Sequence, residues 1–265
     1  MNSVDLHHDI SGTDAGRDVV ILHGLFGMGR NWAGIAHTLG DRYRCFTVDL
    51  RNHGNSPWAD EMTYEAMAAD VARLIEHHAH VPAAVVGHSM GGKTAMTLAL
   101  SRPELVERVC VVDIAPVPYD HNFEGHIRAM ANLDTTALAR RSEAEAALLE
   151  ALDDVSLVRF LVRNLKADPA SGGFVWGVNL DALARHMDDI LDFPVFEADD
   201  AYEGPALFMS GSVSEYVQPH HQGEIERLFP NVRTEIVDGA GHWLHADRPD
   251  QTAALLRTFL DARPD

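Results

Sequence analysis

The sequence predicts an α/β fold: a mostly parallel sheet flanked by helices, with one helical segment inserted into it. Short β-branched runs occur at residues 18–22, 44–48, 83–86 and 108–112. Between them, residues 31–39, 63–79 and 92–101 repeat apolar side chains every three or four positions, which is typical of helices. Strands and helices that alternate in this way predict a parallel sheet covered on both faces.

The pattern changes after Pro116. From residue 120 to 203 we find no convincing strand, but four candidate helices at 122–133, 142–152, 156–166 and 179–190. Strands return at 205–209 and 232–237, and an amphipathic helix follows at 249–260. We therefore expect one domain, in which residues 1–119 and 204–265 form the core and residues 120–203 form a helical cap.

Composition narrows the possible partners. The 265 residues are 46% hydrophobic and carry 21 Lys and Arg against 40 Asp and Glu, for a net charge of −19. This charge argues against nucleic acid, which is bound by clustered cations, and disfavours anionic membrane surfaces. Residues 120–203 alone contain 7 basic and 17 acidic side chains, a net charge of −10.

The two cysteines and the lack of a long apolar run bear on location. Cys45 and Cys110 lie within predicted strands, where buried thiols are more common than disulfides. We find no signal-peptide pattern of a charged segment followed by an apolar run at the start of the sequence, and no apolar run approaches the ~20 residues of a membrane helix. We expect a cytoplasmic protein.

Gly87-His88-Ser89-Met90-Gly91 is the strongest functional motif. It follows a predicted strand and precedes a predicted helix, as in a nucleophile elbow, where the serine sits on a strained turn and the flanking glycines avoid clashes. A serine hydroxyl needs a nearby base. Among 16 histidines, His242 is the best candidate because it lies in a turn after the last predicted strand.

These motifs resemble the α/β-hydrolase superfamily, whose chain order is serine, acid, histidine. His23-Gly24-Leu25-Phe26-Gly27, residues 49–56, Gly87 to Lys93 and Asp113-Ile114-Ala115-Pro116 are similar to YbfF-like bacterial carboxylesterases and related mitochondrial abhydrolase-domain proteins. One local departure from the pattern is Gly177, because arginine is expected at this position in such relatives.

Asp113 and Glu215 are the two candidates for the acidic residue that orients His242. Most superfamily members carry it in the loop after the next-to-last strand, where this chain has Ser214 followed by Glu215. Serine cannot supply a negative charge to an imidazolium. We favour Asp113, at the end of the strand after the elbow helix, over Glu215, and the YbfF-like arrangement agrees.

Acyl transfer also needs an oxyanion site and a pocket. We expect the backbone N–H groups of Leu25 and Met90 as donors, with Phe26 as the alternative to Leu25. Candidate pocket residues are Phe26, Phe123, Ile127, Met130 and Trp243, and His53 is a weaker one. His23, His88, Asp49 and Arg51 are expected to brace loops. The histidine pairs lack metal-site spacing, so no metal or cofactor is expected.

The sequence thus predicts a serine carboxylesterase for small, neutral esters, with an acidic cap that disfavours anionic substrates. Thioesterase, acyltransferase, perhydrolase and carbon–carbon bond hydrolase activities reuse the same triad and stay open. A small-molecule receptor on the same fold is the alternative without catalysis. The oligomeric state is left open.

Overall fold

A seven-stranded sheet runs through the protein, in a computed structural model that describes residues 3–262. Residues 1–2 and 263–265 of the expected core lie outside that range. The strands are β1 (His8–Gly12), β2 (Arg17–Leu22), β3 (Tyr43–Val48), β4 (Ala83–His88), β5 (Val106–Val112), β8 (Ala206–Gly211) and β9 (Val232–Val237). Their spatial order is β1-β3-β2-β4-β5-β8-β9, and every pair is parallel except β1 with β3. The α/β prediction is confirmed.

The described helices are α1 (Ala33–Leu39), α2 (Tyr64–His78), α3 (Met90–Ser101), α4 (Glu124–Ala131), α5 (Arg141–Leu152), α6 (Val155–Leu161), α7 (Leu180–Arg185), α8 (Met187–Leu191), α9 (Gln222–Leu228), α10 (Leu244–Asp247) and α11 (Pro249–Asp261). Alternate residues of β2 point to opposite faces of the sheet. Val20 and Leu22 pack in a core with α2 and α3, whereas Val19 and Ile21 pack with α1 and α11. This two-sided burial explains the continuous apolar strand sequences.

Residues 120–203 lie between β5 and β8 and contain α4 to α8. They also contain a hairpin that the sequence did not predict, β6 (Leu165–Ala167) with β7 (Phe174–Trp176). The predicted helix at 156–166 ends at Leu161 because the chain passes through a 3-10 turn into β6. The predicted helix at 179–190 is two helices that meet at His186, where φ is −110° and ψ is 21°.

The parallel strands bring several loops to one edge of the sheet. Ser89 follows β4 directly, Asp113 follows β5 directly, and His242 lies five residues beyond β9. The carboxyl ends of parallel strands share an edge, so these three side chains meet there. Among the described helices, none has the length and apolar character needed to cross a membrane.

Candidate active site

Ser89 occupies a strained turn between β4 and α3. Its φ is 51° and its ψ is −120°, a backbone conformation that L residues rarely adopt, and its N–H donates to the Val112 carbonyl at 3.0 Å. Five non-glycine residues in the described range have positive φ, and Phe26, Ser89 and Asp113 are three of them. Strained backbone is thus concentrated around this site.

Two glycines of the elbow are required by close backbone contact. A Cβ on Gly87 would lie 2.1 Å from the carbonyl oxygen of Gly91, and a Cβ on Gly91 would lie 2.5 Å from that of His23. The turn that presents Ser89 therefore needs both glycines, which is the physical content of the sequence motif.

His242 is held by Asp113. Its Nδ1 lies 2.7 Å from Asp113 Oδ2, and the Asp113 side chain is fully buried while 20% of the His242 side chain is exposed. With Nδ1 donating to the carboxylate, Nε2 is left as the lone-pair nitrogen of the neutral ring. Ser89 and His242 line the same cavity, and no hydrogen bond joins them in the described residues.

Asp113 receives two further hydrogen bonds from the loop after β8. The Gly211 N–H donates to Oδ1 at 3.0 Å, and the Ser214 hydroxyl donates to Oδ2 at 2.5 Å. Glu215 is exposed, and the described residues show no hydrogen bond or ion pair between it and His242; its backbone carbonyl accepts from the Gln218 side-chain amide. Ser214, at the position where most superfamily members carry the acid, thus supports the carboxylate of Asp113 instead, a contact that the sequence did not predict.

Aromatic rings fix the plane of the His242 ring. Tyr216 stacks on it with centroids 3.8 Å apart and planes 17° apart, and the His88 Nε2–H donates to the His242 carbonyl at 2.8 Å. Burial lowers the pKa of His88 well below its usual value and that of His245 to about 4. Both neighbours are therefore neutral, so neither opposes a positive charge on His242.

The turn after β2 presents backbone donors beside Ser89. The Phe26 N–H donates to His53 Nε2 at 3.2 Å, whereas the Leu25 N–H has no acceptor among the described residues. Met90 begins α3, so its N–H has no acceptor within the helix. His53 Nδ1 donates to the Arg51 carbonyl at 2.9 Å, and burial lowers the pKa of His53 to about 3. His53 therefore supports the turn as a neutral ring, rather than lining the pocket.

Two chambers meet at Ser89. The histidine-side chamber, about 580 Å³ including its mouth, is lined by Ser89, His242, Trp243, Phe26, His126 and Phe160, among others. The lysine-side chamber, about 330 Å³ including its mouth, is lined by Ser89, Met90, Lys93, Tyr64, Tyr119 and Ile114, among others. Leu25, Phe123 and Tyr216 line both. No Asp or Glu of the described residues lines either chamber.

The predicted pocket residues divide between these chambers and the protein core. Phe26, Phe123 and Trp243 line the histidine-side chamber. Ile127 and Met130 line neither chamber: Ile127 borders an outer groove, and Met130 is fully buried in the core. Their helical spacing identified the buried face of α4, and that face packs on α5 and α7.

The residues expected to brace loops do so. Asp49 accepts from the Gly29 and Asn55 N–H groups at 2.7 Å each, and His23 Nε2 accepts from the Leu50 N–H at 3.0 Å. Arg51 pairs with buried Asp70 at 2.6 Å. Both cysteines are buried and free.

Comparisons with known proteins agree with this architecture. Residues 19–249 match the family model described as "alpha/beta hydrolase fold". The chain is 41% identical to the sn-1-specific diacylglycerol lipase ABHD11 of Xenopus laevis, over 98% of this chain and 85% of that protein. It is 32% identical to the esterase YbfF of Escherichia coli, over 92% of each chain. A solved marine microorganism esterase is 35% identical with a TM-score of 0.93, covering 97% of this chain and all of that one. The chain therefore belongs to the α/β-hydrolase family.

Proposed function

We propose that the protein is a serine carboxylesterase in which Ser89 is the nucleophile, His242 the general base and acid, and Asp113 the residue that orients His242. The observation that carries the proposal is the 2.7 Å hydrogen bond between His242 and Asp113, beside a serine held at positive φ in the same cavity. The named activities of the esterase and lipase relatives support the reaction class.

The proposed reaction runs in two halves. Ser89 Oγ attacks the ester carbonyl while its proton passes to His242 Nε2, and the resulting oxyanion accepts from the Leu25 and Met90 N–H groups. His242 then returns the proton to the leaving alcohol, which departs and leaves an acyl-enzyme. Water, deprotonated by His242, attacks the acyl carbonyl, and Ser89 recovers its proton.

The positions of the two chambers support a placement for each of the two parts of the ester. The leaving alcohol must reach His242 to be protonated, and of the two chambers it is the histidine-side one that His242 lines. The acyl group then extends into the lysine-side chamber, next to Met90. Phe123, His126, Leu157 and Phe160 bring residues 120–203 to the histidine-side chamber, which supports a role for this segment as a cap over the alcohol site.

Ser89→Ala tests the proposal. We expect hydrolysis of 4-nitrophenyl acetate to fall to the uncatalysed level and labelling by a fluorophosphonate to be lost, whereas Ser142→Ala, at an exposed position, behaves as the wild type. Unchanged turnover in Ser89→Ala refutes the assignment. Matched thioesters, and an added alcohol acceptor, measure whether the same acyl-enzyme serves thioester cleavage or transfer.

A further inference from the structure

Lys93 is a buried cation in the wall of the lysine-side chamber, which we call the acyl chamber because the proposed reaction places the acyl group there. Its side chain is 2% exposed, and it lies one helical turn after Ser89, about 6 Å along the axis of α3. No carboxylate of the described residues lies within 4 Å of its Nζ. A buried ammonium without a carboxylate partner is costly, so its retention at this place calls for a reason.

Part of that reason is structural. Nζ donates to the carbonyl oxygens of Leu191 at 2.8 Å and Asp192 at 2.6 Å, at the end of α8. It also faces the Tyr119 and Tyr64 rings, at 4.9 and 5.6 Å from their centroids. An ammonium has three N–H donors, so one has no oxygen partner in the described residues.

Two tyrosine hydroxyls of the same wall are already engaged in hydrogen bonds to backbone groups. Tyr64 donates to the Ile190 carbonyl at 2.6 Å, and Tyr119 donates to the Tyr216 carbonyl at 2.5 Å while accepting from the Ala115 N–H. Lys93 is therefore the group in the acyl chamber with both a positive charge and a donor to spare.

We propose that the acyl chamber binds acyl groups that end in a carboxylate, with the terminal carboxylate on Lys93 Nζ. The preferred substrates would be monoesters of short dicarboxylic acids, cleaved at the ester end next to Ser89. This inference rests on the proposed esterase function and names the acyl class that it accepts. The net charge of the exterior acts on approach to the site, whereas Lys93 acts on the acyl group once it is inside.

The titratable groups around Lys93 give the inference a pH signature. Burial lowers the pKa of Lys93 to about 7, and the nearby Asp192 carboxylate opposes that shift. Burial raises the pKa of Tyr64 and Tyr119 and lowers that of His121, so these three neighbours are neutral near pH 8. The positive charge of Lys93 is therefore lost as the pH rises through about 7.

The test compares kcat/KM, from methanol release, for monomethyl succinate, glutarate and adipate with that for methyl butyrate, valerate and hexanoate. Each pair differs only in the terminal group, so the ratio within a pair cancels the steps that both esters share. We expect the wild-type ratio for the best pair to fall at least about tenfold between pH 6 and 9. Lys93→Met should abolish both the preference for the carboxylate ester and the pH dependence of that preference. Lys93→Arg, which keeps a positive charge, should retain part of the preference.

Lys166→Met is the matched control, since Lys166 is the only other lysine and donates to Gly54 and Asn55 outside both chambers. It should keep the wild-type ratio. If Lys93→Met does not fold, competitive inhibition of the wild type by glutarate against valerate, at pH 6 and 9, gives the same comparison. The inference is overturned if the wild type hydrolyses neutral esters but its ratio of kcat/KM, carboxylate ester over neutral partner, stays near one at every pH. It is also overturned if this ratio is the same in Lys93→Met as in the wild type. If the wild type hydrolyses none of these esters, the proposed function itself is rejected.

Discussion

Asp113→Asn is the sharpest test of the acid. The carboxylate of Asp113 accepts three hydrogen bonds, from Gly211, Ser214 and His242. An asparagine offers one oxygen and one NH2 group, so it cannot accept all three. If its oxygen keeps the Gly211 N–H, its NH2 group faces His242 Nδ1, which then accepts the hydrogen bond. The ring proton moves to Nε2, and His242 no longer presents a base to Ser89.

This change of tautomer sets the size of the effect. We expect kcat to fall on the order of 10⁴-fold, about 5.5 kcal/mol in transition-state stabilisation, with a smaller change in KM. Ser214→Ala removes one donor and keeps the carboxylate, so we expect a loss of about tenfold. Glu215→Gln is the matched control and should stay within about twofold of the wild type, because its side chain is exposed.

The assay is hydrolysis of 4-nitrophenyl acetate at pH 8, with thermal unfolding followed by circular dichroism to verify the fold of each variant. The reasoning is refuted if folded Asp113→Asn keeps more than a tenth of wild-type kcat, or if Glu215→Gln loses more activity than Asp113→Asn.

Three further predictions concern the elbow, the buried histidines and the surface charge. Gly91→Ala places a Cβ 2.5 Å from the His23 carbonyl oxygen, so we expect a lower melting temperature and, because Ser89 is misplaced, a loss of activity of about a hundredfold or more. A wild-type melting temperature together with wild-type activity would contradict the close contact. The folded-state pKa of His53 is about 3, below the ordinary value of 6.5, so its contribution to stability is present above pH 6.5 and is lost as the pH falls towards 3. Between pH 7 and pH 5, the free energy of unfolding measured with urea should therefore fall less in His53→Gln than in the wild type. His37→Gln, at an exposed position, is the control and should behave as the wild type. An equal fall in all three proteins would argue against a buried neutral His53. Raising the salt concentration should increase kcat/KM for an anionic ester more than for its neutral partner, because the net charge of −19 repels anions, and a parallel response of the two esters would exclude this repulsion.

The central part of the sheet could be predicted because its strands are buried on both faces. Residues such as Val85 and Val111 leave a continuous apolar signal in the sequence. β1 could not be predicted in this way, since His8–Gly12 is an edge strand of polar and partly exposed residues, paired on one side with β3. The β6 and β7 hairpin has three residues in each strand, too few for a periodic pattern.

The site shows the same division. The elbow and the His242 turn have local sequence signals, because close backbone contacts demand glycine at fixed positions. The contacts of Ser214 and Tyr216 depend on how the loop after β8 lies against β5, and sequence spacing does not encode that arrangement. Likewise, Ile127 and Met130 had the right helical spacing, but periodicity does not distinguish a face on the core from a face on a cavity.

The 2.5 Å contact between Ser214 and Asp113 also bears on how such sites evolve. The tips of the two side chains are in hydrogen-bond contact, so a carboxylate at position 113 or at position 214 would lie close to the Nδ1 side of His242. Two substitutions, at positions 113 and 214, would therefore suffice to move the acid from the end of β5 to the loop after β8.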